Sequence, residues 1–238
     1  MKSLSELSVK IFADGAVKSE MVEMYRNPII KGFTTNPTLM RKAGISDYKS
    51  FAMDVLETIS DLPISFEVFS DELHEMKRQA LSMREWGENV FVKIPIMNTR
   101  GESTVDLVRE LSNAGVKLNI TAMMTFRQVV EISNALAEGI PTFLSVFAGR
   151  IADTGRDPLP IMVAAVELLR LHPEQELIWA SPRELLNIFQ ADEIGCHNIT
   201  VTVDILRKLN QVGKSLDDFS LDTVRMFRED AVKAGYTL

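Results

Sequence analysis

Cysteine occurs once in the 238 residues of this chain, as Cys196. A lone cysteine cannot close an internal disulfide, and there is no C-x-x-C pair to supply thiolate metal ligands, so the usage fits a reducing cytoplasm. Histidine is also scarce: His74, His172 and His197 lie far apart with no ligand-like spacing, and no metal is expected. Positive charge is in deficit, 26 Lys plus Arg against 33 Asp plus Glu, for a net charge of −7. That sign disfavours nucleic-acid phosphates and anionic lipid as partners, although it leaves room for a local basic pocket. No apolar run approaches the length of a membrane span, and MKSLSELSVKIFAD alternates polar and apolar residues instead of presenting the apolar core of a signal peptide. Linkers, low-complexity segments and charge blocks are missing too, so nothing marks a domain boundary and residues 1–238 read as a single domain.

What the chain does contain is ordinary globular material, 46% hydrophobic and 25% charged, arranged with a rhythm. Eight short runs rich in Val, Ile and Phe alternate with longer segments of helical period. The runs are Val9–Asp14, Gly32–Thr35, Ile64–Phe69, Val90–Ile94, Lys117–Thr121, Thr142–Phe147, Glu176–Ala180 and His197–Thr202. The helices expected between and after them are Lys18–Tyr25, Tyr48–Ser60, Leu73–Trp86, Thr104–Ala114, Phe126–Ala137, Leu159–Leu171, Arg183–Ala191 and Val203–Leu209. Ser103, Thr125 and Asp157 stand at helix starts, and Gly115, Gly139 and Gly195 at helix ends. Eight such units of roughly 30 residues predict a (β/α)8 TIM barrel of the α/β class. An open doubly wound sheet is the alternative, but no G-x-G-x-x-G follows the first strand. A further helix, Leu221–Ala234, lies beyond the eighth unit with Leu221, Val224, Phe227, Ala231 and Ala234 on one stripe.

Side chains two apart on a strand share a face, so each strand can be sorted into a face toward the helices and a face toward the barrel axis. Val90, Val92 and Ile94 make an apolar outer face, which sends Phe91 and Lys93 inward. The same parity sends Ser65 and Glu67, Asn119 and Thr121, and Ser145 and Phe147 inward, while Asp14 ends the first strand and Asn36 follows the second in GFTTNP. Six strands thus deliver polar groups near their C-terminal ends, where this fold carries catalysis. Several of these residues also have plain explanations: interior Ser and Thr are often hydrogen-bonded core, and Asn36 before Pro37 or Asp14 before Gly15 makes a natural turn. Lys93, flanked by VFV and IP, is harder to explain, because an ammonium buried without purpose is costly. A structural Lys93–Glu67 ion pair is the competing explanation.

A buried amine is a nucleophile toward a sugar carbonyl, giving a Schiff base whose protonated nitrogen serves as electron sink without metal or pyridoxal phosphate. Proton shuttling then needs a carboxylate, and Glu67 and Asp14 are the inward acids. A phosphate anchor in this fold falls to the last strand ends, where Ser181 and Arg183 follow the seventh run and Arg150 follows the sixth. Met123 and Met124 read as packing at the rim, Trp179 as core, and Cys196 as buried and structural.

These residues resemble the transaldolase family of class I, Schiff-base-forming aldolases, including its short members and the related fructose-6-phosphate aldolases. The resemblance spans nearly the whole chain and is carried by FAD ending in Asp14, GFTTNPTL with Asn36, SFEV with Glu67, VKIP with Lys93, NIT with Asn119 and Thr121, SVFAGRI with Ser145 and Arg150, and ASPREL with Ser181 and Arg183. It implies that Lys93 forms the Schiff base and that Asp14, Asn36, Glu67 and Thr121 surround it. By the same resemblance Asn119, Ser145, Phe147, Arg150, Ser181 and Arg183 meet the substrate's hydroxyls and phosphate. Glu67 and Phe147 side with the transaldolase branch, since the aldolase branch has glutamine and tyrosine there. Gly15 and Pro182 depart from the family pattern, which has a hydroxyl residue and an aromatic at those positions. The expected activity is cofactor-independent transfer of a dihydroxyacetone unit between sugar phosphates. An aldolase releasing free dihydroxyacetone and a non-catalytic sugar-phosphate-binding barrel are the alternatives. Short family members use the last helix against a neighbouring subunit, which implies a homo-oligomer.

Overall fold

The computed structural model describes residues 2–237. Eight parallel strands, β1 (Lys10–Asp14), β2 (Ile30–Thr34), β3 (Ile64–Glu67), β4 (Val90–Pro95), β5 (Leu118–Met123), β6 (Thr142–Val146), β7 (Gln175–Trp179) and β8 (Asn198–Thr202), close into a barrel in sequence order, with β8 paired to β1. The helices are α1 (Lys18–Tyr25), α2 (Pro37–Lys42), α3 (Tyr48–Leu56), α4 (Leu73–Arg84), α5 (Val105–Asn113), α6 (Phe126–Ser133), α7 (Ala148–Ala152), α8 (Leu159–Leu169), α9 (Leu186–Glu193), α10 (Val203–Leu206) and α11 (Leu216–Ala234). The closed TIM barrel with a C-terminal helix is therefore the architecture expected from the alternation. No helix among the described residues is long and apolar enough to cross a membrane.

Boundaries move where local hydrogen bonds override the pattern. β3 stops at Glu67, not Phe69, because the N–H groups of Phe69 and Ser70 donate to Oε1 of Gln79 on α4 at 2.9 and 3.2 Å. The helix expected from Arg183 starts at Leu186, since Oδ1 of Asn187 takes the N–H groups of Arg183 and Glu184 and holds that turn open. α11 begins five residues before the expected Leu221: Ser215 caps it, with Asp217 and Asp218 in the first turn where the helix dipole favours them. Two short helices, α2 and α7, were not expected at all, and both lie in loops at the C-terminal end of the barrel.

The strand parity holds. Val90, Val92, Ile94, Leu118, Ile120 and Leu144 belong to the large apolar shell between strands and helices, together with Trp179 and Cys196. Burial pushes the Cys196 thiol up to about 12, leaving it inert. Inside the barrel a second, small cluster of Phe12, Phe91, Phe143 and Ile178 fills the axis. Phe12 meets Phe143 edge-on with centroids 5.4 Å apart, and Phe91 lies 4.3 Å from Phe143. Gly32 makes room for this layer, because a Cβ there would stand 2.7 Å from the Phe12 ring. Each of these residues is two positions before a residue nearer the C-terminal mouth: Asp14, Lys93, Ser145 and Ala180. The aromatic layer thus plugs the barrel and leaves its C-terminal half to polar side chains.

Candidate active site

A cavity of about 560 Å³ opens at the C-terminal ends of the strands. Asp14, Asn36, Glu67, Lys93, Thr121, Ser145, Phe147, Arg150, Ser181 and Arg183, separated by up to 169 positions in the chain, all line it. Asn119 does not. It is fully buried one layer down, donating to the Ser65 hydroxyl at 2.9 Å and accepting from the Ser145 hydroxyl at 2.7 Å, so it orients Ser145 from beneath. A larger cavity, about 740 Å³, opens at the opposite end under the phenylalanine layer. Two of its three lysines are engaged, Lys10 with Glu176 at 2.6 Å and Lys117 with the Glu88 carbonyl at 2.6 Å, and in this fold that end serves stability.

Lys93 is 6% exposed. Its Nζ stands 3.2 Å from Glu67 Oε2 and donates to the Thr35 carbonyl at 3.2 Å. β3 and β4 pair Glu67 directly with Lys93, so the register of two neighbouring strands brings acid and amine together. Asp14 lies two strands away on β1 and accepts from the Thr34 hydroxyl at 2.7 Å; Thr34 also shares a hydrogen bond with the Thr200 hydroxyl. Burial raises the Asp14 pKa, opposed by the charge of Lys93 and the Thr34 hydrogen bond and reinforced by Glu67. Thr34 and Thr200 were not singled out from sequence, although inward parity on β2 and β8 marks both.

Asn36 caps α2: its Oδ1 accepts from the Leu39 N–H at 3.0 Å, which leaves the side-chain NH₂ as the free donor. Thr121 sits where β5 and β6 slip register, just before Ala122 at φ +62°, and its hydroxyl is buried with no partner among the described residues. That local irregularity is stored at the cavity wall.

The opposite wall comes from two loops pressed together. Gly149, at the start of α7, lies so close to the next loop that a Cβ would fall 1.6 Å from the Ser181 carbonyl oxygen. Ser181 itself has φ +60°. Arg150 projects from α7, while Arg183 is held in a forked ion pair by Asp153, with Nε to Oδ1 at 2.9 Å and Nη2 on Oδ2. The Arg183 guanidinium lowers the Asp153 pKa, and Asp153 raises that of Arg183. Asp153 is a residue the sequence reading passed over: its partner lies 30 positions away, beyond any local pattern.

Solved structures share the barrel. A dihydrodipicolinate synthase from Rhodopseudomonas palustris superposes with a TM-score of 0.62 at 12% identity, covering 98% of this chain and 82% of the other. A putative phosphonomutase from Burkholderia cenocepacia gives 0.54 at 13% identity, covering 95% and 96%. These likenesses define the fold class. Sequence goes further: the family model described as transaldolase/fructose-6-phosphate aldolase matches residues 11–238. A probable transaldolase of a Thermoanaerobacter species is 33% identical over 228 residues, covering 95% of this chain and 99% of the relative. One from Dehalococcoides mccartyi is 32% identical over 204 residues, covering 85% and 91%. The chain belongs to the transaldolase/fructose-6-phosphate aldolase family.

Proposed function

We propose that this protein is a transaldolase that carries a three-carbon dihydroxyacetone unit from a ketose phosphate to an aldose phosphate on Lys93, without a cofactor. The observation that carries the reading is Lys93 itself, a buried amine at the cavity wall with Glu67 at 3.2 Å and Asp14 across the barrel mouth. Nζ adds to the ketose carbonyl; the carbinolamine loses water to give the iminium. Cleavage of the adjacent carbon–carbon bond sends its electron pair into the iminium while a carboxylate takes the hydroxyl proton, and an aldose phosphate leaves. Asp14, whose raised pKa suits it to holding that proton, takes this step. Glu67 returns protons during carbinolamine dehydration and hydrolysis, and the Thr121 hydroxyl, on the wall of the same cavity and without a partner among the described residues, holds a water. The enamine then attacks the acceptor aldehyde and the steps reverse. Asn36, Ser145 and Phe147 order the sugar chain, and Ser181, Arg150 and Arg183 take the phosphate.

Glu67 and Phe147 favour transfer over release of free dihydroxyacetone. Gly15 is not held to glycine by packing, since a Cβ there meets nothing within 4 Å. The same reading includes a cytoplasmic location and a homo-oligomer built through α11. The test is an assay with a ketose phosphate with and without an acceptor aldose phosphate. Product that requires the acceptor supports transfer; dihydroxyacetone released without it assigns the aldolase activity, and phosphate-sugar binding with neither assigns a silent barrel.

A further inference from the structure

β2 and β3 pair at only two positions, Phe33 with Ile64 and Thr34 with Ser65. The last rung between them runs from the Thr35 N–H to the Ser65 carbonyl, 3.1 Å. In a continuing parallel ladder the next rung would run from the Glu67 N–H to the Thr35 carbonyl. That rung is replaced. Asn36 turns the chain into α2, and the Thr35 carbonyl instead accepts from Lys93 Nζ at 3.2 Å. The Glu67 N–H donates to Tyr48 Oη at 2.8 Å, and the same hydroxyl donates to the Glu67 carbonyl at 2.9 Å. One side chain from α3 therefore satisfies both main-chain groups that β2 leaves behind. Its ring is itself fixed among Phe66, Phe69 and Trp86, with centroids 6.4, 5.5 and 6.1 Å away. Burial keeps the hydroxyl protonated well past neutral pH, so it stays a donor.

The geometry points to Tyr48 as a positioning residue of the active site: it takes the rung surrendered by β2, which frees the Thr35 carbonyl for Lys93 and fixes the main chain that aims Glu67. The inference rests on the reading of Glu67 as the proton carrier beside the imine. Without the Tyr48 hydroxyl, the Glu67 N–H and carbonyl lose their partner, or the N–H draws the Thr35 carbonyl back from Lys93. Either change moves the carboxylate or the amine, and misplacement by about 1 Å costs on the order of 10²-fold in rate.

The experiment compares wild type, Tyr48→Phe, Glu67→Gln and the double variant by kcat, KM for the ketose phosphate and melting temperature. Tyr48→Phe is expected to lower kcat about tenfold or more with KM within about twofold, and to cost several-fold less in the Glu67→Gln background. Wild-type kcat in a folded Tyr48→Phe protein, or the same fold-loss in both backgrounds, overturns the inference. Should Tyr48→Phe fail to fold, 4-methylphenylalanine at position 48 fills the same space without the hydrogen bonds and is judged by the same criteria. A Glu67→Gln enzyme at wild-type rate instead overturns the proton role of Glu67, and the purpose assigned to Tyr48 with it; a slow Glu67→Gln enzyme beside a wild-type Tyr48→Phe one overturns Tyr48 alone.

Discussion

At the scale of single residues, Lys93 and Glu67 pose the question of whether a buried ion pair is there for structure or for chemistry. An amine and a carboxylate 3.2 Å apart stabilise each other, but a buried pair is a poor route to stability compared with apolar packing of the same volume. Glu67→Gln keeps the shape and a hydrogen bond, so it should fold normally and slow turnover by roughly 10²–10⁴-fold, the usual scale for a general acid or base; steady-state rates check this, and a wild-type rate removes Glu67 from the mechanism. Asp14 offers a second handle. An acid whose pKa is raised on folding binds more protons folded than unfolded, so its contribution to stability falls as pH rises from the ordinary 3.8 through the raised folded value. Thermal melts of Asp14→Asn and wild type should therefore nearly coincide below pH 3.8 and diverge in the variant's favour above it; a constant difference would mean that folding does not raise the Asp14 pKa. Inward parity made Lys93, Glu67, Thr121 and Ser145 readable from sequence. It placed Asn119 inward correctly but could not tell a cavity wall from the layer beneath, which depends on depth along the axis and not on alternation.

At the scale of elements, the strands were legible because a parallel barrel buries both faces and so concentrates Val, Ile and Phe in short runs. α2 and α7 were not, because a helix of five or six residues is too short to show a period, and Asn36-Pro37 reads alike as a turn and as a capped first turn. Those two elements aim Asn36 and Arg150, so the least legible parts of the fold help to line the cavity. The packing of α7 on the loop after β7 gives a direct prediction. Gly149→Ala would drive a Cβ into the Ser181 carbonyl, a backbone atom that cannot swing aside. Overpacking of this kind costs about 1–3 kcal/mol or more, which a urea titration would register as a lower midpoint, accompanied by weaker binding of phosphorylated sugars. An unchanged midpoint would mean that the two loops are not locked together.

At the scale of the whole molecule, α11 stands apart. None of its 19 residues is buried, and Phe219, Val224 and Phe227 are 49%, 60% and 62% exposed. An isolated helix of this length is marginal in water, so the apolar stripe calls for a covering surface. Light scattering at micromolar concentration should give a multiple of the 26.7 kDa chain mass, and Phe227→Asp should lower it; a wild-type mass of 26.7 kDa would refute the oligomer. The net charge of −7 offers no long-range attraction to a phosphorylated sugar, so the proposed function leaves phosphate recognition to the cavity arginines Arg150 and Arg183. Arg183→Ala should raise KM for phosphorylated substrates far more than for unphosphorylated ones, and equal effects would mean that the phosphate site lies elsewhere. The proposed activity rests on a covalent step at Lys93. The most direct test is borohydride reduction of the folded protein in the presence of a ketose phosphate, followed by peptide mass mapping. The account predicts one reduced adduct, on the peptide containing Lys93, and none in a folded Lys93→Met variant. An active enzyme that traps no adduct, or traps it on another lysine, would contradict it.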